Sequence, residues 1–117
     1  MDTPRMSMPL PSETNLLKAV LEPLLEDFQH WFGRSRSLLE SEQLSFLSVE
    51  QQHQLLERVC QAQQEVNAAQ IMFRATGAQV GVETRTIMPW HQLLTECWQV
   101  AMRYRAEQAI ATDPTAQ

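Results

Sequence analysis

Residues 17–38 read LKAVLEPLLEDFQHWFGRSRSL, and within them Leu17, Leu21, Leu24, Phe28, Trp31, Ser35 and Leu38 recur in alternating steps of four and three. On an α-helix that rhythm sets every one of these side chains along one seam, which has to bury against other helices. Beside the seam stand Leu16, Val20, Leu25, Phe32 and Leu39. The combined apolar face is wider than one partner helix covers, so part of it is expected to lie exposed as a contact surface.

Outward from this stretch the sequence keeps helical character. Ser12 reads as an N-cap with Glu13 favourably placed against the helix dipole, and the first helix runs to about Glu42. Pro23 falls inside it, where it removes a ladder bond and predicts a kink near 19–23. Gly33 lies off the seam and marks a close approach or a hinge. Gln43–Leu47 reads as a short connection with Phe46 and Leu47 folded back on the core. Ser48-Val-Glu-Gln51 has the form of a capping box and starts a second helix, Val49 to about Ala75. Its inward face is Gln52, Leu55, Leu56, Val59, Ala62, Gln63, Val66, Ala69, Gln70 and Phe73. Gly77 serves as its C′ residue, and Gly77–Met88 is a loop. Pro89 fits the first turn of a third helix that carries Ile87, Trp90, Leu94, Cys97, Trp98, Ala101 and Tyr104 inward and ends near Ile110.

The reading is therefore all-α: a three-helix up-down-up antiparallel bundle built on a long helical hairpin. The bundle spans 12–111, between a proline-bearing N-terminal tail (1–11) and a C-terminal tail (112–117), both expected to be flexible. A chain of 117 residues is normally one domain and can bury roughly 65% of its unfolded surface, enough for a core without staples.

Composition narrows the function classes. The formal charge is −5 with only nine basic residues, so a nucleic-acid partner is not expected. No apolar run approaches the roughly 18 residues of an integral membrane segment, and residues 1–11 lack the apolar stretch of a secretory signal. Cys60 and Cys97 then point to a reducing cytoplasm and free thiols. Their heights on antiparallel helices differ by about 10 Å, beyond the roughly 7 Å that a disulfide spans.

Candidate chemistry is sparse. Glu22, Glu26 and His30 share a face, and Asp27-Phe-Gln-His30 and Glu50-Gln-Gln-His53 each set a carboxylate three residues before a histidine, as in carboxylate-bridged di-metal bundles. The two units sit about 10 Å apart along the hairpin, so no joint metal site is expected, and a solvated acidic face accounts for Glu22, Glu26 and Asp27. Cys97 and His91 are about 9 Å apart along one helix, too far to pair, and cysteine is most often a core residue. Gly77-Ala-Gln-Val-Gly81 lacks the Lys-Ser/Thr of a phosphate loop. Arg34-Ser-Arg-Ser37 reads equally as a phosphate-accepting motif and as a solvated face. His30-Trp31-Phe32 and Pro89-Trp90-His91 are aromatic–histidine clusters that could flank a planar ligand with a histidine as axial ligand, while ordinary packing explains them as well.

The segments LLKAVLEPLLEDFQHWF (16–32) and PWHQLLTECWQVAMR (89–103) resemble a family of small cyanobacterial proteins of unknown function. The resemblance runs from about Leu16 to Arg105. It implies a cyanobacterial, cytoplasmic protein and carries over no catalytic residue and no cofactor.

The expectation is a non-catalytic interaction or adaptor module that presents a helical face to a protein partner or to its own copy. Trp31, Phe32, Trp90 and His91 are the expected contact residues, and Trp90→Ala is expected to weaken capture while leaving helicity intact. The alternatives are a small-molecule or tetrapyrrole binder using His30 or His91 and, behind it, a metal-dependent enzyme of the carboxylate-bundle type.

Overall fold

The computed structural model describes residues 11–76 and 84–112, with the side chains of 11–18, 84 and 112 left aside. The expected tails at 1–10 and 113–117, the side chains of Leu16 and Leu17, and the C′ role of Gly77 lie outside this set. Three helices follow in order: α1 (Pro11–Ser41), α2 (Val49–Ala75) and α3 (Thr84–Thr112).

The hairpin between α1 and α2 forms for local reasons. Ser48 sits in extended backbone, φ −67° and ψ 160°, and its hydroxyl accepts from the Gln51 N–H at 3.0 Å. The Gln51 amide oxygen accepts from the Ser48 N–H at 2.9 Å, which completes the capping box. On the other side of the link, Gln52 resolves the exposed end of α1. Its amide donates to the carbonyls of Leu39 (2.9 Å) and Glu42 (2.6 Å) and accepts from the Leu44 N–H (3.0 Å). A helix end leaves its last carbonyls without intrahelical partners; one buried glutamine from the next helix supplies two of the missing donors. Leu44 is buried beneath this cluster, and Phe46 and Leu47 pack against the core as expected.

Register follows from a few contacts. Gln29 reaches Gln63 and Gln70, Arg36 reaches Gln63, and Gln52 reaches Leu39, so α1 and α2 run antiparallel. Phe28 meets Trp90, and Ser45 donates to Glu107 at 2.7 Å, 62 residues on, so α3 runs parallel to α1. The bundle is up-down-up, with α1 at its centre. Both α2 and α3 pack along α1 and touch each other only slightly.

That central position corrects the assignment of faces. The deepest α1 residues are Leu21, Leu25, Phe28, Phe32 and Leu39, while Leu24, Trp31 and Leu38 are half-buried on the flank towards α3. Leu21 and Phe28 of the stripe reach the core, and Leu25, Phe32 and Leu39 from beside it complete the core line. The face was wider than one helix covers because two helices cover it. Among the described residues beside the seam, Val20 alone is exposed, at 56%.

The inward face of α2 is as expected: Gln52, Leu55, Val59, Ala62, Val66 and Phe73 are buried, with Leu56, Gln63, Ala69 and Gln70 half-buried. Two boundary expectations change. Ser12 is already helical, with Pro11 ahead of it, an arrangement proline favours in the first turn. α3 begins at Thr84, so Pro89 is its sixth residue and Thr84–Met88 are helix rather than loop. α1 runs through Pro23 as expected.

No helix among the described residues is long and apolar enough to cross a membrane.

Candidate functional site

The flank where α1 leans on α3 carries the exposed aromatic chemistry. Trp31 meets the ring of Trp98 edge to face, with centroids 6.0 Å apart and planes at 89°. His30 stands edge-on to Trp31 at 4.9 Å, and the Arg34 guanidinium lies over the Trp31 ring at 5.5 Å. Edge-to-face ring pairs and cation–π contacts each contribute about 0.5–1.5 kcal/mol beyond burial. Together they hold two indoles at the surface in fixed orientation. Trp98 remains 43% exposed, with Met88 at 49% and Met102 at 62% on the same side of α3. His91 is exposed in the same row, and its carbonyl accepts from the Thr95 hydroxyl at 3.0 Å.

Of the four contact residues expected from sequence, Trp31 and His91 lie on this flank. Phe32 and Trp90 do not: they are 0% and 2% exposed. This corrects their assignment as surface residues. Phe32 is fully buried and stacks on Phe28 at 5.9 Å. Trp90 meets Phe28 edge to face at 5.6 Å, and its indole N–H donates to Glu65 at 2.9 Å. A tryptophan with its polar atom partnered can sit fully inside.

Trp98 was expected inward and is the residue that composes the flank. Met88, His91, Thr95, Trp98 and Met102 are spaced by three, four, three and four. This second stripe runs beside the core stripe of Trp90, Leu94, Cys97, Ala101 and Tyr104. Leu93, absent from the expected inward set, is buried at 6%.

A second concave feature lies where α2 and α3 part. Two open depressions of about 410 and 620 Å³ follow the groove between them. Arg58 and Glu96 bridge it with paired bonds of 2.9 and 2.7 Å. The Arg58 guanidinium holds the Glu96 carboxyl below its ordinary value through that hydrogen bonding, opposed by partial burial. The ion pair closes the groove at mid-length, and its walls mix apolar side chains such as Phe46, Leu55, Leu93 and Val100 with glutamine and glutamate.

Reactive groups do not assemble. Among the described residues, no three metal-binding side chains come together. His53 sits 3.3 Å from Glu57 on its own helix, with both side chains about two-thirds exposed. His30 and His91 stand outside and line neither depression. Cys60 and Cys97 are free thiols. Burial pushes the Cys97 thiol up, with a Ser35 hydrogen bond opposing, which keeps it protonated and unreactive.

Fold and surface together define a small all-helical protein whose distinctive exposed feature is an aromatic flank. The chain belongs to the DUF2605 family, proteins of unknown function, whose profile matches residues 11–106. No curated protein and no solved structure matches it.

Proposed function

We propose that this protein is a non-catalytic helical interaction module, and that the α1–α3 flank around Trp31 and Trp98 is where it engages a protein. One observation carries the reading: Trp31 and Trp98 meet edge to face, with His30 and Arg34 packed on Trp31, yet Trp98 stays 43% exposed beside Met88 and Met102. Exposed tryptophan is costly to leave in water, and such residues anchor protein interfaces far more often than their abundance predicts. Methionines beside it adapt to a partner's shape. The sparse, unassembled acid–base groups favour binding over catalysis.

The test is capture from an extract of the source organism with the immobilised chain and its Trp98→Glu variant. The expected result is a stoichiometric protein retained by the native chain and lost by the variant, with equal helicity by circular dichroism. Retention of the same protein by both forms would overturn the assignment of the flank.

A further inference from the structure

We infer that the protein engaged by this flank is a second copy of the same chain, its α3 lying antiparallel against the first about a two-fold axis at Thr95. The inference rests on the interaction reading above and names the partner. A symmetric pair needs a surface complementary to itself: residue i must suit residue j and j must suit i. The row Met88, His91, Thr95, Trp98, Met102 has that property. Turned end over end about Thr95, Met88 falls opposite Met102, His91 comes within one residue of Trp98, about 1.5 Å along the helix, and Thr95 meets its own equivalent. Thioether meets thioether, ring meets ring, and the smallest side chain marks the point where two backbones come closest.

Charge agrees. The chain carries a net −5, but residues 88, 91, 92, 95, 98, 99 and 102 include no Asp, Glu, Lys or Arg. Two acidic molecules can therefore approach along this row without setting like charges together. Gln92 and Gln99, exposed beside the row, also come within one residue of each other under the same rotation and supply matching donors and acceptors. The spacing of three and four is that of an antiparallel helix seam.

Area sets the strength. Side chains of this size carry roughly 150–250 Å² each, and Met88, Trp98 and Met102 are exposed by 49, 43 and 62%. Each copy thus offers roughly 300 Å² of apolar surface, to which Gln92, Thr95, Gln99 and the open side of Trp31 add. The pair falls at the small end of specific interfaces, so the association is reversible and depends on concentration.

Sedimentation of the full chain from about 10 μM to about 1 mM should show a monomer–dimer equilibrium that Trp98→Glu abolishes at unchanged helicity. Cross-linking reads the geometry independently, in a Cys60→Ser background. Thr95→Cys should form a covalent dimer on mild oxidation. Met102→Cys should not link to itself, since its equivalents would stand about 21 Å apart along the helices, but should link to Met88→Cys when the two variants are mixed. A chain that stays monomeric throughout with Thr95→Cys unlinked, or self-linking at 102 as fast as at 95, would overturn the proposal. Should the dimer fail while a different protein is captured in a Trp98-dependent way, the interaction reading stands and the partner named here is wrong.

Discussion

The indole N–H of Trp90 on α3 donates to the Glu65 carboxylate on α2 at 2.9 Å, while its ring lies edge-on to Phe28 of α1 at 5.6 Å. One side chain therefore joins all three helices. Two of those helices, α2 and α3, otherwise meet little.

Trp90→Ala should accordingly destabilise the fold, in contrast to the surface role expected from sequence. Removing a buried tryptophan costs about 3–5 kcal/mol, which at about 4 °C per kcal/mol lowers Tm by about 12–20 °C. Trp90→Phe keeps a ring against Phe28 but loses the bond to Glu65 and some packed volume, for a smaller cost of about 1–3 kcal/mol. Thermal melts followed by circular dichroism distinguish these outcomes.

Gln52→Leu should be costly although leucine is the more apolar residue. It strips donors from the Leu39 and Glu42 carbonyls and the acceptor from the Leu44 N–H. Each orphaned buried group costs about 1–3 kcal/mol, so a loss of about 3 kcal/mol or more is expected in urea unfolding. A loss below about 1 kcal/mol would show that water reaches these groups.

Gly33→Ala should stabilise. An added Cβ would meet the Gln63 side-chain nitrogen at 3.8 Å, an ordinary contact, and alanine in a helix interior is favoured over glycine by about 1 kcal/mol.

The Arg58–Glu96 pair gives a small acid-dependent contribution. The guanidinium holds the Glu96 carboxyl below its ordinary value of 4.5, so the folded state gains stability above that pH and loses it as pH falls through the lowered value. Both side chains are about half exposed, and solvent screening holds the contribution to about 1 kcal/mol or less. Glu96→Gln should remove that part of the acid dependence below about pH 4.5 and leave stability at neutral pH within about 1 kcal/mol of the native chain.

The two thiols should separate on alkylation at pH about 8. Cys60 is half-buried and Cys97 buried, with its thiol pushed up by burial. Peptide mass analysis should find Cys60 labelled in the native protein and Cys97 labelled only in denaturant.

Local rules made most of this fold legible. The capping box at Ser48, the bounds of α2 and its inward face were readable because each is set by residues a few positions apart. What could not be read was which of two adjacent stripes lay deepest. Leu21, Leu24, Leu25 and Phe28 are all apolar, and their ranking depends on where α2 and α3 sit around α1, which no spacing within α1 reports. The same gap named Trp90 both as inward and as a contact residue, and placed Trp98 inward. Both occur in helical steps of three and four, and the difference between core and surface is the presence of Glu65 on another helix to partner one indole. Trp31 and His91 were found from sequence as part of the flank, while Trp98, which joins them, was expected in the core.

Assembly order also follows from the geometry at residues 42–48. A link that short brings α1 and α2 together at little entropic cost, whereas α3 meets α1 only across contacts such as Ser45 to Glu107, 62 positions away. The Trp31–Trp98 edge is divided between the rod that nucleates and the rod that arrives last. A partner that reads this edge would therefore meet only the finished molecule, and a half-built chain would have nothing there to offer.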